Sequence, residues 1–598
     1  MGDRGSARSG SLEDADERRR LSALDLVGLA AGGVVGSGWL LAAGKAHWAA
    51  GDDAVWAWAA GGALMLLIAA VMVELGIAVP KTGGLIFLPL QAAGPLVATV
   101  VAAGLWIVYA VNPASEAVAM VHGLAYWFPS LLRNGEVLKN VAAPTPQSME
   151  HAYDFSMAGV LWAVVFMALI VGLNLLPPRR LIRLNLFITM VKVLVPVLII
   201  VCLGFAAFDA AKSCEPEQVW YLSGRSGTAE HLQSQAGHLS PLYVVLGGAV
   251  IYAYIGFQAP LDFAGNVKRR GMGEAARLRW AVYGTLVGAF LLYTALQYVF
   301  GRHCQGLTGN MLESPYSQFA AAATLTWLAW LIRVNAVLSP MGSGIVFTHA
   351  LTREVAALSR AHLTHRGLQT ARRASFRFRG GEIDAYWMIL LVNFAIGLTM
   401  LVVVRGNWEE LVALNSVPTL VVYATPGVVL VALKLPGFGR TRRTVHLVLS
   451  ATAFVAIAVV MLEAGWPNVW RGMAAVGIGS GLLLGLPWLA RSDLPFIGGL
   501  FRRYDARDHV SRFATRGDPA VRPVLLFLVH WAVIVSCTLL RDVLSDELAL
   551  VPQLIVALSA AVVFPLLVRA CRRYMDRVPP TLPVPRRERH EVPVSVGT

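Results

Sequence analysis

The stretch GLAAGGVVGSGWLLAA, Gly28 to Ala43, lies inside the first long apolar run of the chain and carries five glycines: Gly28, Gly32, Gly33, Gly36 and Gly38. Glycine in a helix interior costs roughly 1 kcal/mol relative to alanine. In hydrocarbon a loosened turn also exposes backbone groups that water cannot reach. Such a span either uses its small residues to let a neighbouring helix approach, or it is unwound so that its freed N–H and C=O groups line a cavity.

Composition sets the surroundings of that stretch. The 598 residues are 56% hydrophobic and 14% charged, with mean hydropathy +0.61. A soluble domain cannot hide so much apolar surface, so the class is an all-α integral membrane protein. Apolar runs of about 20 residues, enough to cross ~30 Å of hydrocarbon, fall near residues 24–44, 55–79, 96–123, 156–176, 184–207, 241–265, 280–301, 318–348, 386–404, 410–433, 444–464, 469–490, 522–540 and 549–569. These are fourteen expected spans.

The formal charge of +14 and pI near 9.8 invite a nucleic-acid reading, which the positions of the cations exclude. The two tails and every second connection hold 39 of the 50 Lys and Arg, whereas the opposite connections hold nine. By the positive-inside rule both termini are cytoplasmic, which requires an even number of spans. Lys192 and Arg333 are left inside apolar runs. Met1 to Arg20 is expected to be a polar tail rather than a cleavable leader. Cys214 and Cys304 fall in expected outside loops, where a disulfide is chemically permitted. No nucleophile elbow, phosphate loop, zinc spacing or cofactor motif stands out, which disfavours an enzyme.

The sixth span repeats the anomaly of the first. YAYIGFQAPLDFAGNVKRR, Tyr252 to Arg270, sets Gly256, Pro260 and Gly265 in an apolar run that also holds Asp262. Interrupted spans at corresponding positions point to a transporter built from inverted repeats, with its site at the breaks. There the N–H groups of an outer half-helix can hold a carboxylate and freed carbonyls an ammonium group. Glycine tolerates the nonhelical dihedrals and lets a ligand approach.

Four motifs carry a resemblance. GGVVGSG, Gly32 to Gly38, resembles the first-helix motif of the amino acid-polyamine-organocation (APC) transporters. VMVELGIAVPKTGGLIFLPLQAAG, Val71 to Gly94, is similar to that family's second helix and following hairpin. GLNLLPPRRLIRLNLFITMVKVLVP, Gly172 to Pro196, resembles its fourth-to-fifth helix segment, lysine included. The Tyr252 to Arg270 stretch resembles its sixth-helix signature, with Asn266 and Gln258 where members often carry glutamate and Arg269 and Arg270 after the lysine.

The resemblance implies a LeuT-like core of five plus five inverted-repeat helices over residues 24–433, with helices 1 and 6 broken. It leaves peripheral helices 11–12 at 434–490, a basic linker at 491–521, helices 13–14 at 522–570, and tails at 1–23 and 571–598. It further implies a plasma-membrane permease that moves an amino acid or related amine by alternating access. Protons and the bilayer are then its other partners, and oligomeric state stays open. An exchanger using the same site, or a membrane sensor without transport, is the alternative.

Within that frame the backbone of Val35, Gly36, Ser37 and Gly38 is expected to hold the carboxylate. Carbonyls of Ala253, Tyr254, Ile255 and Gly256 would hold the amino group, and Phe257, Trp39, Tyr252 and Tyr254 would wall the site. Lys192 lies eight residues from Leu184, about 12 Å deep, where an ammonium costs at least ~2.5 kcal/mol. It is the candidate for proton coupling; its alternative is a permanent pair with Glu74 or Asp262. Arg333 reads an acidic side chain, pairs with Glu116, or snorkels. Glu116 is a gate, a relay, or the partner of Arg333. Asp262 faces the pathway or a helix end, and Glu74 is an inner gate or the partner of an inside arginine.

Overall fold

A computed structural model describes residues 21–80, 83–138, 154–205, 241–247, 249–262, 273–303, 307, 310, 312–365, 368, 372–378, 381–433, 439–490, 509–515, 517–543 and 550–579. The helices are α1 (Ala23–Val34), α2 (Gly38–Ala50), α3 (Ala54–Ala78), α4 (Gly84–Ala93), α5 (Pro95–Ala125), α6 (Met157–Leu173), α7 (Pro178–Gly204), α8 (Pro241–Gly247), α9 (Val250–Tyr254), α10 (Ala259–Asp262), α11 (Glu274–His303), α12 (Pro315–Ala322) and α13 (Thr326–Arg360). They continue as α14 (Trp387–Val403), α15 (Trp408–Tyr423), α16 (Thr425–Ala432), α17 (Arg440–Glu463), α18 (Trp466–Ala490), α19 (Val521–Val543) and α20 (Leu550–Arg577), with single turns at Gly135–Leu138 and Ser511–Ala514. Among the described residues, ten helical stretches are long and apolar enough to cross a membrane, and α1, α4, α6 and α14 are shorter apolar helices. The chain is a multi-pass, all-α membrane protein.

Helix falls in each of the fourteen expected spans, but four spans are divided. The first breaks between Val34 and Gly38, and the sixth is cut into α8, α9 and α10. The eighth, expected as one run, turns between α12 and α13, where Thr324 adopts φ 61°. The tenth changes from α15 to α16 at Ala424, ahead of Pro426. The arginine-rich link before α14 contains an antiparallel pair, β1 (Arg372–Phe378) with β2 (Gly381–Ala385), which span-hunting by hydropathy does not detect.

α1 begins at a capping box: the Ser22 hydroxyl accepts from the Asp25 N–H, and the Asp25 carboxylate accepts from the Ser22 N–H at 2.9 Å. This satisfies donors that a helix start leaves open. α5 runs through the middle, about 46 Å long at 1.5 Å per residue, packed against α13, α15 and α18. α7 shows how the sequence sorts its faces. Phe187, Met190, Leu194 and Val201, spaced by helical turns, are exposed on one side, while Asn185, Ile188, Thr189, Lys192 and Ile199 are buried on the other. An apolar outside with polar groups inside is the inverse of a soluble helix and suits a lipid-facing one.

α17, α19 and α20 pack on one another, with α17 against α3 and α20 against α4 and α16. Glu74 of α3 joins this layer to the rest, accepting from Arg279 of α11 at 2.7 Å and from Arg442 of α17 at 2.6 Å, with His446 3.7 Å away. The reading of Glu74 as the partner of a basic residue is the one the geometry matches. The calls that fall on Cys214, Cys304, Gly265 and Asn266 lie outside the described residues.

Candidate functional site

Unwinding α1 from Val35 to Ser37 frees carbonyls in a buried place, and each finds a donor on another helix. Lys192 Nζ donates to the Gly32 carbonyl. Ser343 Oγ donates to Gly33 at 3.2 Å, Tyr293 OH to Val34 at 3.1 Å, and Ser339 Oγ to Gly36 at 2.9 Å. A turn lower, Asn185 Nδ2 donates to Gly28 at 2.9 Å. Lys192 is fully buried and bonds to neither Glu74 nor Asp262, so its expected alternative partners are corrected to a backbone carbonyl. A hydroxyl or ammonium from α7, α11 and α13 thus does for the broken turn what water does in a soluble protein.

The bonds predict their own cost. Ser343→Ala leaves the Gly33 carbonyl without its donor, a loss of about 1–3 kcal/mol for a buried group, whereas the Val34 carbonyl would keep the Gly36 N–H at 3.0 Å if Tyr293 were lost. A clear fall in thermal midpoint in detergent is the expected result. Tyr316→Phe is the control, because its hydroxyl bonds to Leu296 O inside α11, a carbonyl already in a helix. An equal shift in both variants contradicts the assignment.

On the α2 side of the break, the Ser37 N–H donates to Glu116 Oε2 at 3.1 Å. Glu116 lies on the same face of α5 as Asn112, three to four residues being one turn. Its other oxygen accepts from Tyr252 OH at 3.0 Å, and Tyr252 is 2.7 Å from Ser115 Oγ. Trp408 Nε1 donates to Ser37 Oγ at 3.2 Å and its ring meets Tyr252 edge-on at 5.7 Å. A carboxylate therefore already rests at the start of α2, where N–H groups and the helix dipole favour it.

The second break lies against the first. α9 ends at Tyr254, Ile255 is extended, and Gly256 takes φ 119°. A Cβ on Gly33 would come within 2.9 Å of Gly256 O, and one on Gly38 within 2.7 Å of Ala253 Cα. The two broken segments cross backbone to backbone. Beyond the crossing, Gln258 Oε1 accepts from Gly256 N at 2.9 Å and Tyr423 OH at 2.7 Å, and Tyr109 OH donates to Asp262 Oδ2 at 2.7 Å.

A cavity of about 150 Å³ lies on the α2 side, lined by residues that include Ser37, Tyr126, Glu313, Arg333, Trp408 and Glu409. It has room for about five waters at ~30 Å³ each. Of the expected binding residues only Ser37 lines it; Val35, Gly36, Gly38 and Ala253 to Phe257 are packed in the crossing. Trp39 and Tyr254 are likewise buried, the latter donating to Trp58 O at 3.1 Å. Arg333 donates through Nε to Glu313 at 2.8 Å and lies 4.0 Å over the Tyr126 ring. The expected pair of Arg333 with Glu116 is thus corrected: Glu116 is held at the helix break, and a glutamate before α12 takes the guanidinium. Lys45 of α2 pairs with Glu409 at 2.8 Å.

Sequence reasoning missed Tyr293, Ser339, Ser343, Trp408 and Glu313. The serines and tyrosine are single polar residues in apolar runs, a weak signal that becomes meaningful once a broken turn is known to need donors.

Two Bacillus subtilis (strain 168) transporters are similar in sequence. The aspartate-proton symporter is 27% identical over 351 residues, which cover 57% of this chain and 61% of that protein. The glutamate/serine transporter AimA is 25% identical over 477 residues, 77% of this chain and 80% of the relative. The profile of the amino acid permease family matches residues 21–483, a stretch that holds both breaks, Lys192, Glu116 and the cavity. The chain, with its two broken spans crossing at glycine, belongs to the amino acid permease family, within the APC superfamily.

Proposed function

We propose that the protein is a proton-coupled symporter for small and acidic amino acids, working by alternating access from the plasma membrane with both termini cytoplasmic. Its core would be the ten helices of residues 24–433 in two inverted repeats, with the later helices peripheral. The observation that carries this reading is the Glu116 carboxylate on the Ser37 N–H: the head of α2 is built to take a carboxylate. A proton on Glu116 ends its claim on that N–H, and the substrate carboxylate takes its place. The carbonyls of Ala253 to Gly256 receive the amino group once the crossing opens. Lys192, on the Gly32 carbonyl, ties its own protonation to the shape of the unwound turn. The similarity to an aspartate-proton symporter and a glutamate/serine transporter supports the substrate class and, for the first, the coupling ion.

The test is uptake of radiolabelled serine, aspartate and glutamate into proteoliposomes, with and without an inward proton gradient. Uptake that rises with the gradient is the expected result; uptake indifferent to it removes the symport. In Arg333→Gln, aspartate and glutamate uptake is expected to fall about tenfold, while serine uptake stays within about twofold. A side-chain carboxylate that joins Glu313 on the Arg333 guanidinium, whose Nε and Nη2 both go to one Glu313 oxygen, gains a charged hydrogen bond worth ~1.5–3 kcal/mol, and serine has none to lose. Parallel losses for all three substrates would argue against a side-chain role.

A further inference from the structure

On the far side of the glycine crossing from the cavity, Asp262 at the end of α10 faces Glu354 of α13. Both residues are buried, at 0% and 1% exposure. Their carboxyl groups lie within hydrogen-bonding reach of each other. Tyr109 OH donates to Asp262 Oδ2, but among the described residues no N–H or O–H donates to Asp262 Oδ1 or to either oxygen of Glu354. The other titratable groups that act on the pair are Tyr423 of α15 and Arg360, six residues further along α13. α1 and α11 face this end with Leu26, Leu29 and Ala281, and α3 meets Leu261 at Gly76.

Two carboxylates in contact in such surroundings cannot both be charged. A single proton between them turns one carboxyl into a donor to the other, engages two of the three vacant oxygens, and leaves the pair a single negative charge. The proton belongs to the pair and not to either residue.

We propose that Asp262 and Glu354 are a proton-carrying pair that releases its proton on the side of the crossing opposite Glu116. This rests on the symport reading above. Tyr109 and Glu116 stand seven residues apart on α5, about 10 Å along the helix, so the two carboxyl stations flank the crossing at one helix's two-turn spacing. While the far side is closed the pair must keep its proton, since losing it would leave two buried charges in contact. When that side opens, water solvates both carboxylates and the proton departs to it, the pair going from one negative charge to two. Re-closing then requires the proton back. Glu354 is a role that neither the motifs nor the spacing of the sequence suggested.

Infrared spectroscopy of the full-length protein tests the pair directly. The wild-type protein at neutral pH is expected to show a buried carboxylic C=O stretch that Glu354→Gln removes, because the amide then donates to an ionised Asp262. A wild-type protein without such a band, or a band unchanged in Glu354→Gln, overturns the proposal; the first outcome needs no variant to fold. In proteoliposomes, the proton-to-substrate ratio from the reversal potential with aspartate or serine is expected to fall by one in Glu354→Gln. For a gradient of one pH unit that is about a tenfold loss of accumulation. A ratio equal to wild type overturns the transport role. A wild-type protein that moves amino acid without protons instead fells the symport reading, and leaves the infrared result standing.

Discussion

Gly256→Ala is expected to abolish uptake and to lower the yield and thermal midpoint of the folded protein. A Cβ at this position would lie 2.4 Å from the Gly33 carbonyl carbon and 2.8 Å from its Cα. Those atoms are backbone, so no rotamer change makes room. Overpacking costs typically ~1–3 kcal/mol, and holding an alanine at φ 119° adds strain of order 1–3 kcal/mol. Gly33→Ala meets the same contact from the other segment without the dihedral penalty and is expected to be milder. Gly288→Ala is the control: nothing lies within 4 Å of its Cβ, and a helix interior gains from alanine. Wild-type uptake and midpoint in Gly256→Ala would show that the two breaks do not touch.

Lys192→Gln is expected to reduce gradient-driven accumulation at least tenfold, the equivalent of ~1.4 kcal/mol, with the remaining uptake indifferent to external pH. Glutamine removes the charge and keeps an N–H donor, one bond further from the Gly32 carbonyl than the ammonium. Lys192→Met removes both, and its additional fall in thermal midpoint isolates the bond, at about 1–3 kcal/mol for an unsatisfied buried carbonyl. Uptake by Lys192→Gln that follows the proton gradient as in the wild type would remove the lysine from the coupling step.

The two breaks were legible because glycine and proline inside an apolar run are punctuation at any scale of folding. Lys192 stood out because an ammonium at mid-depth must find a partner; the partner, the Gly32 carbonyl, could not be read from the sequence. What escaped depends on distance along the chain. Tyr293 and Val34 are separated by 259 residues, and Ser343 and Gly33 by 310; no periodicity connects them. The break before α13 escaped for the opposite reason, since Ala323, Thr324 and Leu325 carry neither glycine nor proline, and the turn closes through backbone bonds, Leu325 N–H to Ala320 O at 2.8 Å among them. Glu313 is absent from the three readings of Arg333, an acidic substrate, Glu116 or a snorkelling residue, because it sits in a connection whose fold the hydropathy pattern leaves open. Glu354 lies beyond the expected span 318–348, beside Arg353, where hydropathy assigns a connection and offers no reason to bury a carboxylate.

Glu74 has a consequence for the outer helices. Its two oxygens are divided between a guanidinium of α11 and one of α17, and a carboxylate shared this way is never stranded: should either arginine withdraw, the other can claim both oxygens. Both guanidiniums are nearly half exposed, at 42% and 45%, so each pair is screened by water and worth no more than ~1 kcal/mol, and the joint outlives the loss of either one.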